Sequence, residues 1–165
     1  MAKTLGILFT WTTYGTWLRG DARGWVDEGV VYPANPPLEA ADRHRLRYPP
    51  FLFPPAQRHE AGVLVGSAVR ELDAGVYALH VGSWHVHLVT GYLHVPVGEA
   101  TRVVKDRVRR GLGHRRAIWT AGYDKRFCFD RPAVIRRVEY VRQHNRRTGL
   151  PTDPWPFVRP PHWCI

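Results

Sequence analysis

His85-Val86-His87 lies within Val81-Gly-Ser-Trp-His-Val-His-Leu-Val-Thr90, and Tyr140-Val-Arg-Gln-His144 follows in a basic stretch farther along the chain. Side chains of an extended strand alternate, so His85 and His87 share one face while Val86 and Leu88 turn to the other. Two adjacent imidazoles can grip one divalent ion. On a helix, Tyr140 and His144 stack on one face, so a single element offers both a phenol and a third ligand. An ion held by His85, His87 and His144 keeps positions open for phosphate oxygens and water, and can serve as Lewis acid and template on a phosphodiester. Tyr140 would then attack phosphorus. A free phenol has a pKa of about 10 and needs a cation near its developing oxyanion. A covalent phosphotyrosine conserves the energy of the broken linkage, which suits cutting and rejoining better than degradation.

The histidine pair gains its weight from its partners. Nine histidines in 165 residues give roughly half an instance of His-x-His by chance. Taken alone, the pair reads as surface histidines on a half-buried strand, and Tyr140 as a packed helix aromatic. Gln143, three residues from Tyr140, competes with His144 as third ligand, with helix geometry favouring His144. His80 precedes the turn and His94 follows Tyr92-Leu93, so both are set aside as non-ligands.

The elements that must position these groups follow from patterning. Leu5 to Thr13 reads as a buried first strand. Seven prolines between Tyr32 and Pro55 mark 32–55 as a long surface connection with a short turn of helix near Glu39 to Arg45. Pro55 to Leu72 has amphipathic helical spacing; Val76 to Val81 and Trp84 to Tyr92 read as strands joined at Gly82-Ser83; Val97 to Gly111 reads as a second helix with a basic face. Ala117 to Thr120 and Arg126 to Phe129 are short strand candidates. A last helix is expected from about Pro132 to Asn145, and the tail 150–165 is too proline-rich to be regular. The order is that of an α+β, ferredoxin-like (split βαβ) antiparallel sheet with helices on one face and an appended C-terminal catalytic helix, in one domain spanning 1–165.

Composition sets the partner class. Net charge is +10, and nearly all the cations are arginine, whose planar fork suits phosphates and base edges. Arg102, Lys105 and Arg109 on one helix, with Arg136, Arg142 and Arg146 on the last, are candidate phosphate contacts; a solvated face is the competing reading. Trp11, Tyr14, Trp17 and Trp25 could stack on unpaired bases, although core packing suits most of them better. Cys128 and Cys164 are too few for a disulfide framework or a cysteine zinc site. No signal segment or membrane-length apolar run is visible, so a cytoplasmic protein is expected.

The combination resembles the single-tyrosine HUH transposases, above all the REP-associated tyrosine transposases: His-hydrophobic-His on a strand, then a lone tyrosine with a polar ligand four residues on. Thr10-Trp-Thr-Thr-Tyr14-Gly-Thr-Trp17-Leu-Arg-Gly20-Asp-Ala-Arg23-Gly-Trp25 and Ile118-Trp-Thr120 are also similar to strings in that family. The resemblance implies a Mg²⁺ or Mn²⁺ ion, single-stranded DNA flanked by hairpins, and a 5′-phosphotyrosine intermediate. His85 and His87 match its paired ligands, Tyr140 its nucleophile and His144 its third ligand. Trp84 stands where many relatives carry Asn. Monomer and homodimer both remain open, as do three other functions: a hairpin-binding descendant that no longer cuts, a three-histidine zinc hydrolase, and an RNA-binding module, which lacks the aromatic strings it would need.

Overall fold

The computed structural model describes residues 3–164; Met1, Ala2 and Ile165 lie outside the described residues. β-branched and aromatic residues build strand β1 (Gly6–Thr12), after which β2 (Trp25–Asp27) and β3 (Val30–Tyr32) form a small separate hairpin. Helices α1 (Pro36–Arg45) and α2 (Pro55–Glu71) lead into β4 (Val76–Val81) and β5 (His85–Thr90). Then come α3 (Val97–Gly111), β6 (Asp124–Cys128), α4 (Arg131–Arg147) and a short 3₁₀ turn at His162–Cys164. The main sheet runs β4-β5-β1-β6 with every pairing antiparallel. With α2 between β1 and β4 and α3 between β5 and β6, this is the expected split βαβ arrangement.

Alternation along the strands sorts the core into two layers. Ile7, Phe9, Trp11, Leu79, Val81, Val86 and Leu88 face Val65, Val69, Val104 and Val108 of α2 and α3. On the other face, Leu8, Ala78, Val89 and Cys128 meet Val134, Val138 and Val141 of α4. The last helix thus has a sheet face to itself. Asp130 caps it, its Oδ1 accepting from the Ala133 N–H at 2.7 Å, and Pro132 occupies the first turn, where its missing N–H costs nothing.

Several expectations change. The 32–55 connection carries a three-turn helix, and its Phe53 is buried in the main core, where its backbone N–H donates to the Ser83 carbonyl at 2.7 Å and its ring packs on Trp119. Ala117 to Thr120 makes only an isolated bridge, Thr13 to Trp119, while Ile118 is buried. The proline-rich tail lacks regular structure beyond the 3₁₀ turn, yet Trp155 and Val158 join the core. Trp155 lies against α2 where Gly62 leaves room: a Cβ there would stand 2.1 Å from the indole ring.

Candidate functional site

The sheet face beneath α4 changes character along its length. Apolar residues pair with Val134, Val138 and Val141 at one end; Thr10, Thr12, His80, His85 and His87 occupy the other, under Tyr140, His144 and Asn145. Cross-strand register sets the neighbours: Thr10 opposes His87, Thr12 opposes His85, and His80 opposes His87 from the other side. Residues directly opposite one another project on the same face. All four histidines therefore converge.

Ring centroids lie 4.7 Å apart for His85–His87, 4.5 Å for His87–His144, 5.3 Å for His80–His85 and 5.3 Å for His80–His144. The Tyr140 ring stands 4.8 Å from His144 and 5.2 Å from His87, half-exposed at the edge of the cluster. Thr10 Oγ1 sits 2.8 Å from His87 Nδ1, and Asn145 Oδ1 sits 2.8 Å from His80 Nδ1. Such contacts orient imidazoles for ligation.

Burial pushes the His87 imidazole down to about 2 and that of His85 to about 4, with neighbouring histidines adding to both shifts. His80 and His144 also lie below the ordinary histidine value, burial again being the leading cause. At neutral pH the cluster is uncharged, the form in which imidazole lone pairs serve metals. His80 Nε2 and both ring nitrogens of His85 are buried without hydrogen-bond partners, a state that costs about 1–3 kcal/mol per group unless something fills it. The ligand nitrogens of His80, His85 and His144 lie within 4.8 Å of one another. These residues fit a divalent ion.

His85, His87, His144 and Tyr140 are thus brought together. Gln143 is exposed, away from the buried Val141 and Asn145 face of α4, so the helix presents His144 to the cluster instead. His94 packs beside Tyr92, outside the group. His80 belongs to it, although its place before the turn argued against it. Its signal was the hairpin register, since a tight turn at Gly82 to His85 necessarily sets His80 opposite His87.

A cleft of about 400 Å³ opens over the cluster, lined by Thr10, Thr12, Trp17, Trp84, Arg126, Arg137 and Tyr140 among others. On its rim, the Arg23 guanidinium stands 4.4 Å from the Trp17 ring and 4.8 Å from the Trp84 ring, and is held by Asp21 at 2.6 Å. Trp84, in the position expected for Asn, packs 4.3 Å from His85. Of the candidate stacking residues, Trp17 reaches the cleft while Trp11 is a core residue.

The basic candidates divide. Arg102, Lys105 and Arg109 lie on α3, across the sheet from Tyr140. The Lys105 ammonium is held by the Thr120 and Gly122 carbonyls at 3.0 and 2.5 Å, burial lowers it to about 8, and Arg109 pairs with Asp106 at 2.9 Å. Arg142 grips Asp153 through two bonds of 3.1 and 2.6 Å, and Arg146 pairs with Glu139. Arg102 and Arg136 are exposed without an ion-pair partner among the described residues. Arg126 and Arg137 line the cleft and Arg23 stands on its rim; Arg137 belongs to the basic run around Tyr140, whereas Arg23 and Arg126 sit outside any helix spacing and were not expected as contacts.

The class defined so far is a ferredoxin-like fold whose extra helix closes over a histidine-bearing sheet face. A REP-associated tyrosine transposase, solved with a REP hairpin bound, matches this fold with a TM-score of 0.57 and 13% identity, over 94% of this chain and 76% of its own. A Deinococcus radiodurans protein assigned as a transposase matches at a TM-score of 0.45 and 14% identity, over 87% of this chain and 93% of its own. At these identities the likeness is one of fold. No protein-family model matches the chain, and no curated protein does. No helix among the described residues is long and apolar enough to cross a membrane.

Proposed function

We propose that this chain is a metal-dependent transposase of the single-tyrosine HUH kind, which nicks and rejoins single-stranded DNA beside hairpins with Tyr140 as nucleophile. The observation that carries it is the placement of Tyr140 next to His87 and His144, at a cleft above buried imidazoles that lack partners. His85, His87 and His144 would hold a divalent ion, Mg²⁺ or Mn²⁺ in the resembled family, which supplies Lewis-acid and template chemistry toward a phosphodiester. Tyr140 Oη attacks phosphorus and forms a 5′-phosphotyrosyl ester; the phosphorus–O3′ bond breaks, and the departing oxygen becomes a hydroxyl as the phenol's proton is given up. Attack by another 3′-hydroxyl reverses the step and frees Tyr140. Tyr140 neighbours His87 of its own chain, which supports attack in cis over exchange of the tyrosine helix within a homodimer. Trp17, Trp84 and Arg23 offer faces for unpaired bases at the rim, and Arg126 and Arg137 meet phosphates. A transposase of this kind would work in the cytoplasm and join the nucleoid when bound to DNA.

Incubating the chain with hairpin-flanked single-stranded DNA and Mn²⁺ is expected to give a covalent adduct that EDTA prevents; an adduct insensitive to chelation would contradict the metal-dependent reading. Trp84 favours one rival, a hairpin binder that no longer cuts, and tight metal-independent binding without any adduct would select it. Alanine at Arg126 or Arg137 is expected to lower DNA affinity and flatten its log–log salt slope by about 0.7 each, the increment for one phosphate contact on a single strand. Arg109→Ala, its ion pair lying across the sheet, should leave the slope unchanged in the same filter-binding series.

A further inference from the structure

We infer that His80 is itself a ligand of this site, so that the protein holds its ion through imidazole nitrogens alone and selects a borderline transition ion such as Zn²⁺ or Co²⁺ over Mg²⁺. The inference rests on the metal-dependent reading above and deepens it. His80 is only 1% exposed, and an ordinary core histidine would have both ring nitrogens satisfied. Here one is bonded and the other is buried without a partner.

Asn145 decides which proton state His80 adopts. Its amide nitrogen donates to the Leu79 carbonyl at 2.9 Å and the Thr152 carbonyl at 3.0 Å. Both amide hydrogens are thereby used, so Asn145 Oδ1 is the atom that faces His80 Nδ1 at 2.8 Å. A carboxamide oxygen only accepts, so Nδ1 carries the hydrogen and Nε2 carries the lone pair. Nε2 lies beside the His85 ring, both within 3.1 Å of one point at Gly82, in a group where one nitrogen each of His80, His85 and His144 come within 4.8 Å of one another. The arrangement is the one that fixes metal-binding imidazoles: a hydrogen bond from one nitrogen orients the ring and raises the basicity of the other.

The neighbouring backbone makes room for this. A Cβ on Gly82 would stand 3.1 Å from His80 Nε2 and 3.1 Å from His85 Cε1, so the turn passes directly against both rings. No aspartate or glutamate belongs to the ligand group, and Asp124, in the adjoining cleft, is paired with Arg126 at 3.1 Å. Mg²⁺ demands oxygen ligands and gives up its water reluctantly, whereas imidazole suits zinc and its transition-metal neighbours.

The test is a Co²⁺ titration followed by visible absorption, on the unmutated protein and on His80→Ala, with Mg²⁺ as competitor. One Co²⁺ per chain is expected, resistant to a large excess of Mg²⁺, with affinity falling roughly tenfold or more in His80→Ala. Long-range ¹H–¹⁵N spectra of the unmutated protein, recorded as Zn²⁺ is added, keep the test independent of whether the variant folds; His80 Nε2 is expected to shift together with nitrogens of His85 and His144. If His80 Nε2 stays unmoved while the others shift, or if His80→Ala binds Co²⁺ undiminished, His80 is a core residue and the metal reading survives without it. Displacement of Co²⁺ by equimolar Mg²⁺ would overturn the selectivity. A chain that takes up none of these ions overturns both readings.

Discussion

Tyr140→Phe is expected to reduce covalent adduct formation by about 10⁴-fold or more, the scale on which enzymes lose turnover when their nucleophile is removed. The change deletes one oxygen and keeps the ring that packs edge-on beside His87 and His144. Tyr140 is 41% exposed and its hydroxyl has no protein partner among the described hydrogen bonds, so neither stability nor hairpin affinity should move measurably. A time course on denaturing gels, with thermal unfolding and a binding isotherm on the same preparation, separates these quantities. Full adduct yield from the phenylalanine protein would remove Tyr140 from the chemistry and return attention to a histidine-bound zinc hydrolase.

The second large effect is one of stability. Trp155→Ala is expected to cost about 3–5 kcal/mol, in the range for truncating a fully buried aromatic, measured as a lowered urea midpoint with the slope retained. Trp155 is 2% exposed, its Nε1 donates to the His59 carbonyl at 3.0 Å, and its ring stacks on His59 at 5.8 Å between centroids. An irregular tail free in solvent would yield a change within about 0.5 kcal/mol, the scale of ordinary surface substitutions. Because Asn145 Nδ2 reaches the Thr152 carbonyl and Arg142 holds Asp153, the segment that carries Trp155 also braces α4 close to His144. Loss of the indole should therefore loosen the histidine cluster as well as the core.

These two residues mark where sequence was informative and where it was not. Tyr140 and His144 were legible because helical spacing alone puts them on one face, and His85 and His87 because strand alternation does the same. The split βαβ order was legible because each main element carries its own period. His80 depended on hairpin register, a property of the turn rather than of any residue near it. The β2–β3 hairpin escaped notice because its turn places Glu28 and Gly29 at φ 47° and 80°, a conformation usually announced by Asn-Gly or Asp-Gly. Prolines in the tail correctly excluded a helix, but proline content says nothing of burial; the sign of Trp155 docking was the pair Gly62 and Gly66 on α2, which opens space for Trp155 and Phe157. Arg142 could not be read as engaged, since Asp153 reaches it only after the chain has turned past the helix end.

The central claim is that one phenol, docked by α4 over the histidines, becomes covalently joined to DNA. Its most direct test is proteolysis of the purified adduct followed by mass spectrometry of the DNA-linked peptide. The expected result is a single linkage, a 5′-phosphate ester on the Tyr140 oxygen; a phosphate found on any other residue, or cleaved DNA recovered with no peptide attached, would contradict the account.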